Sequence, residues 1–201
     1  MDKKLLDMIL ELEWEMFSSV RNFGQSASCQ ADNKTFRVMR FSQKCEWPEE
    51  LLASYYEDLL AARSEGRNLM SEKYAWMMES NFSEEYKSIA HLLPVINRET
   101  SKRIEEIVAQ NVEWKLALCG EYPKLTGRGR PIHSSEDSRY ETSFETYLRG
   151  ELKTYSPRTI VLLHEFTMRQ QAEDINGVER SLFNQMRQYG YATLKQAEDN
   201  L

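Results

Sequence analysis

The stretch LLDMILELEWEMFSSV (5–20) sets the reading of the whole chain: Leu5, Ile9, Leu12, Met16 and Val20 return every three or four residues, the period of one helix face. An amphipathic first helix over 3 to 21 follows, with Asn22 and Gly24 ending it. The period continues beyond it. A short helix is expected over 33 to 42 with Phe36 and Met39 inward, and Pro48 at a first-turn position opens a longer one through Arg63 that Gly66 closes. Asn68 can cap the next, whose Leu69, Met70, Tyr74, Met77 and Met78 read as core. Ser83 with two following glutamates starts a short helix that Pro94 stops.

Residues 98 to 120 carry Ile104, Val108, Val112 and Leu116 on one face before Gly120 and Pro123 end that helix. Ser138 and Glu141 have capping-box spacing ahead of Phe144, Tyr147 and Leu148, and Ser156 with Pro157 makes an N-cap and first-turn pair. The helix after Pro157 runs to about Asp174, breaks at Asn176 and Gly177, and gives way to a last helix ending near Gly190. No strand pattern competes. The fold class is therefore all-α, a single domain over 1–201 of about eight helices.

Landmarks recur in order along the two halves, 1–95 and 98–201, which points to an internal repeat. MILELEW (8–14) resembles VAQNVEW (108–114), and TFRVMR (35–40) resembles SFETYLR (143–149). Trp47-Pro48 followed by Leu51 resembles Ser156-Pro157 followed by Ile160, and Gly66 then answers Gly177. Two pseudo-symmetric halves are expected.

Composition narrows the function classes. With 201 residues, 41% of them hydrophobic and 29% charged, the chain can bury a core without metals or disulfides. A net charge of -6 and a pI near 5.3 oppose the basic footprint that phosphate neutralisation requires, so nucleic acid is not expected as a partner. Cys29, Cys45 and Cys119 are widely spaced and form no CxxC pattern, which suits a reducing cytoplasm. Asp7, Glu11, Glu13 and Glu15 interrupt what would be the apolar core of a signal peptide. The longest apolar run, Ile160 to Leu163, is far below the roughly 20 residues that span a bilayer, so no membrane association is expected.

Two constellations carry possible chemistry. Glu13 projects within the arc of Leu12, Phe17 and Val20, and Glu113 sits beside Val112, Leu116 and Ala117, so both carboxylates are expected among core residues. Arg40 and Arg149, at matching places in the two halves, are their natural partners. Such pairs serve either as structural bridges or as a polar pocket on a pseudo-twofold axis. The second constellation is the aperiodic TGRGRPIHSSED (126–137), where Arg128 and Arg130 between glycines, just before a helix start, suit an oxyanion. Equally, those arginines can tie a loop to acidic helices.

Metal binding finds less support. Glutamate pairs such as Glu72 with Glu79 and Glu141 with Glu145 are spaced like ligands of carboxylate-bridged bundles, but no Glu-x-x-His occurs, and no metal site is assigned. Trp14, Trp76, Trp114, Met77 and Met78 could line an adaptable pocket, though core packing explains them as well.

ELEWEMF near the start, SCQ (28–30), GRNLMSEKYA (66–75), GRGRPI (127–132), SSED (134–137) and SFETYLRGELKTYS (143–156) together resemble a bacterial family of small helical proteins of unknown function. The resemblance covers nearly the whole chain. It implies a bacterial cytoplasmic protein whose relatives occur beside or fused to nucleotidyltransferase-like domains, and it implies no activity, cofactor or catalytic residue. The function expected is binding of a small anionic ligand or a protein partner at the junction of the halves. Two alternatives stand beside it: an enzyme with Glu13 or Glu113 as general base and arginines as a substrate clamp, and a regulatory partner of a nucleotidyltransferase-like enzyme.

Overall fold

The computed structural model describes residues 2–20 and 28–201. Among these, eleven α-helices and three 3-10 turns account for the architecture and no strand occurs. The helices are α1 (Lys3–Ser18), α2 (Asn33–Lys44), α3 (Glu49–Ser64), α4 (Leu69–Asn81), α5 (Ser83–Ile89) and α6 (Arg98–Glu121). Then come α7 (Pro123–Thr126), α8 (Phe144–Leu152), α9 (Pro157–Ala172), α10 (Gly177–Gln188) and α11 (Leu194–Asp199). The all-α expectation holds, while the count of about eight is too low. The short α7 and α11 are too brief to show a period. The expected stop of α1 at Asn22 and Gly24 falls outside the described residues.

Side-chain caps fix most starts. Asp2 accepts from the amides of Lys4 and Leu5, Asn68 from Ser71, Asn97 from Thr100, and Ser156 from Thr159. Each such cap contributes about 1 kcal/mol. The start of α8 differs from expectation, because Ser143 caps it by accepting from the Thr146 amide. Ser138 instead accepts from Tyr140 and Glu141 within a separate turn. Besides α10, which Gly190 follows with φ +94°, two helices stop in the same way: after α3 Gly66 takes φ +70°, after α9 Asp174 takes φ +56°. In each case the next amide reaches back to close the last turn, Arg67 to the Ala62 carbonyl and Ile175 to that of Gln170, both at 2.8 Å.

Packing is organised around two helices. The first, α1, lies against α2, α3 and α4, and α6 lies against α8, α9 and α10. Between these groups α4 packs on α8, α10 on α2, and α3 on α9. Leu6, Ile9 and Leu10 of α1 and Ile104, Ile107 and Val108 of α6 meet in one continuous core with Leu52, Leu59 and Ile160. Burying each such side chain is worth about 1.5–3 kcal/mol. A smaller core of Leu118, Met186, Leu194 and Ala197 seats α11.

Gly150 lets α8 approach α4 closely, since a Cβ there would stand 2.9 Å from Met77 Cγ and 3.1 Å from the Lys73 carbonyl oxygen. Two core assignments need correction. Met39 is 44% exposed, because the inward side of α2 is the polar set Arg40, Ser42 and Lys44. Leu116 is 45% exposed, because buried Leu118, two residues on, points about 200° away around the helix.

Candidate functional site

Five charged side chains from four helices converge in the interior. Glu13 comes from α1, Arg40 and Lys44 from α2, Lys73 from α4 and Glu151 from α8, and their residues are at most 9% exposed. Helical phase delivers them. Lys73 shares a face with buried Leu69, Met70 and Met77, and Lys44 follows Arg40 by one turn.

The guanidinium of Arg40 is the hub. Its Nε donates to Glu13 Oε2 at 2.9 Å, and its Nη2 forms a short contact with Glu13 Oε1. The same group reaches Glu151 at 3.0 and 2.8 Å and donates to Gln43 at 3.0 Å. Lys73 donates to Glu151 Oε2 at 2.6 Å, and Lys44 Nζ stands 3.3 Å from Glu13 and 3.9 Å from Glu151. Two tyrosines complete the shell: Tyr55 donates to Glu13 at 2.6 Å and Tyr155 to Glu151 at 2.8 Å, their rings 4.7 Å apart.

Three cations therefore face two carboxylates, and among the described residues no third carboxylate pairs with them. Protonation follows from this excess. Burial alone would raise the Glu13 pKa, but Arg40 and Lys44 hold it at about 2. Glu151 is likewise held well below the usual range, against burial, by Arg40, Lys73 and Lys44. Burial and the like charge of Arg40 bring Lys44 down to about 8. A carboxylate at about 2 stays ionised near neutral pH and accepts hydrogen bonds, so the raised pKa that a general base wants is not found at Glu13.

Sequence phase correctly brings Glu13 to Arg40, but the matching pair does not form. Glu113 is exposed and accepts from Gln110 at 3.5 Å, because Leu116 and Ala117 beside it face water and only Val112 packs against the core. Arg149 is half-buried and binds Glu105 at 2.9 Å and Glu145 at 2.8 Å instead. Sequence reasoning missed Lys44, Glu151, Tyr55 and Tyr155, and it offered Lys73 only with Arg67 and Asn68, as groups around a helix start that could bind an anion or serve as cap and surface charge, whereas Lys73 is buried. Phase singles out Lys73, whose neighbours three and four residues away are apolar; residue type hides it, since lysine is seldom fully buried.

The GRGR loop is ordered by its neighbours. Phe144 and Glu145 amides donate to the carbonyls of Pro131 and Ile132, and Asp137 accepts from Ser80, Thr146 and the Ser143 amide. Arg128 and Arg130 are exposed. Arg130 donates to the Thr142 carbonyl and lies 4.5 Å from the Tyr147 ring centre, and Lys73 Nζ lies 3.4 Å from the same centre. The loop thus meets the charge cluster at Tyr147. Arg130 has no carboxylate partner among the described residues.

Two surface clefts lie elsewhere. A cleft of about 360 Å³ between Asp7, Leu10, Lys34, Arg37, Phe41 and Gln188 contains none of the five charged residues, nor does one of about 100 Å³ beside Pro48 and Phe166. Trp14 packs on Phe17 and Phe36, and Trp76 lies under Lys153 beside Tyr86, so these aromatics serve packing. Among the described residues no three His, Cys, Asp or Glu converge as metal ligands, and no helix is long and apolar enough to cross a membrane. No curated protein and no solved structure matches the chain. Residues 3–199 match the family described as protein of unknown function DUF4125, and the chain belongs to that family.

Proposed function

We propose that the protein binds a small anionic ligand at the rim of the charge cluster, where Tyr147 carries Arg130 and Lys73. The supporting observation is the surplus cation: Arg40, Lys44 and Lys73 stand against Glu13 and Glu151 alone. An unbalanced buried positive charge costs stability, and removing such a cost is what an incoming anion would do. The five side chains are buried and Arg130 beside them is exposed, so the ligand docks on the rim at Arg130 and not among the five. The chain's overall charge of -6 opposes anions at long range, so the attraction has to come from this local positive rim.

The test is thermal shift and calorimetry with acetate, sulfate and inorganic phosphate at matched ionic strength, on wild type and Arg130→Ala. Binding by wild type that Arg130→Ala weakens is expected. Identical behaviour of the two proteins with every anion would remove the proposal.

We infer further that the fold is two copies of one four-helix unit, α1 to α4 matching α6, α8, α9 and α10. Three features support this. The packing partners of α1 and α6 correspond one to one, and α4 on α8 mirrors α10 on α2. Asn68 and Asn176, the caps of α4 and α10, donate to the carbonyls of Met16 and Trp114. Gly66 and Asp174 supply the matching left-handed stops.

In this register Gly66 answers Asp174, not Gly177, Glu13 answers Asn111, and Glu113 answers exposed Glu15. The repeated Glu-Trp dipeptide misleads by two residues, about 200° around a helix. Arg40 and Lys44 then answer Leu148 and Leu152, so the three cations and Glu13 belong to one copy and the other supplies Glu151. Superposing the two units checks this: Met16 on Trp114 should align their Cα traces better than Glu13 on Glu113. The unpaired thiols of Cys45 and Cys119 support a reducing compartment.

A further inference from the structure

We infer that the ligand is a dianion, a phosphate or sulfate group, and not a monocarboxylate; this rests on the anion-site reading above. Among the described residues, positive charges here outnumber the carboxylates that pair with them by two. One is the third cation of the cluster, where Glu13 and Glu151 are shared among Arg40, Lys44 and Lys73. The other is Arg130, whose Nη1 donates only to the Thr142 carbonyl.

The single ring of Tyr147 joins them. Lys73 Nζ and the Arg130 guanidinium carbon lie 3.4 and 4.5 Å from its centre, hence no more than about 8 Å from each other. A group carrying two negative charges set at this edge neutralises both surpluses, whereas a carboxylate leaves one. The guanidinium face also suits tetrahedral oxyanions, since the nitrogens not engaged with Thr142 remain to grip two oxygens side by side. Lys73 is already committed to Glu151 at 2.6 Å, so it attracts the anion through charge while Arg130 supplies the directed hydrogen bonds.

The experiment compares sulfate with acetate at pH 7 and constant ionic strength by calorimetry, on wild type, Arg130→Gln and Lys44→Met. Arg130 is exposed, so its replacement leaves the core intact. Sulfate should bind wild type about tenfold or more tighter than acetate, the scale of one additional charge interaction near a surface. Arg130→Gln should collapse that ratio towards one, and Lys44→Met should weaken sulfate more than acetate. Acetate binding as tightly as sulfate, with both weakened by Arg130→Gln, would overturn the dianion assignment and leave the anion site standing. Binding of neither anion, or binding indifferent to Arg130→Gln, would overturn both.

Discussion

Helices α1 and α6 do the same packing work with different chemistry at one turn. In α1 Glu13 is fully buried and needs Arg40, Lys44 and Tyr55 around it. In α6, at the position matched to it in the proposed register, half-buried Asn111 donates at 2.8 Å to the carbonyl of Ile107 in its own helix. An amide satisfied by its own helix asks nothing of its neighbours. A buried carboxylate recruits groups from two other helices, α2 and α3, and the cations among them bring their own charges to be answered.

The sharpest way to break the comparison is Glu13→Gln. It leaves Arg40 and Lys44 with one carboxylate fewer, and urea unfolding at pH 7 should show a loss of about 3–5 kcal/mol. An effect under about 1 kcal/mol would mean the cluster is not the dry network described.

Acid tests the same carboxylate without mutation. The folded pKa of Glu13, about 2, lies below its ordinary 4.5, so its contribution is complete above pH 4.5 and disappears as pH falls towards 2. Glu151 is shifted in the same direction. Wild type should lose about 3 kcal/mol through Glu13 across that window, and Glu13→Gln should lose correspondingly less over the same pH range.

Lys44→Met should have a small effect of opposite character. The folded pKa of Lys44, about 8, lies below its ordinary 10.5, so its ammonium form is disfavoured by folding. At pH 7 the variant should match wild type within about 1 kcal/mol or exceed it. Between pH 8 and 10.5 wild type gains stability as the lysine loses its proton, so any advantage of the variant should shrink there; an advantage that grows instead contradicts the surplus cation. The smallest effect is expected at Asn111→Ala, below about 1 kcal/mol in the same unfolding assay, because only one intrahelical hydrogen bond is lost.

What the sequence disclosed follows from these contrasts. Apolar spacing in α1 exposes both the helix and the inward phase of Glu13, and a buried acid implies a cation, which Arg40 supplies. The phase of α2 is harder to read, because its inward residues Arg40, Ser42 and Lys44 are polar while Met39 faces water. Glu151 is invisible as a partner until α8 is placed by Gly150 against α4. The start of α8 was obscured by two serines five residues apart, of which only Ser143 reaches the Thr146 amide. Arg149 attracts attention by analogy with Arg40, yet the helix of which it is part aims Glu151 inward and Arg149 towards Glu105.

The bond from Arg40 to Glu151 joins residues that leave the ribosome far apart in time. A nascent chain that has issued only 1–95 holds Glu13 as the lone acid among Arg40, Lys44 and Lys73, two positive charges in excess in the space that becomes the interior. Closing that interior early would desolvate unanswered ammonium and guanidinium groups, so the first four helices have reason to stay loosely assembled until α8 arrives. Synthesis order thereby gives the amino-terminal portion reason to wait, with its lysines in water, for a carboxylate encoded over a hundred codons after Lys44.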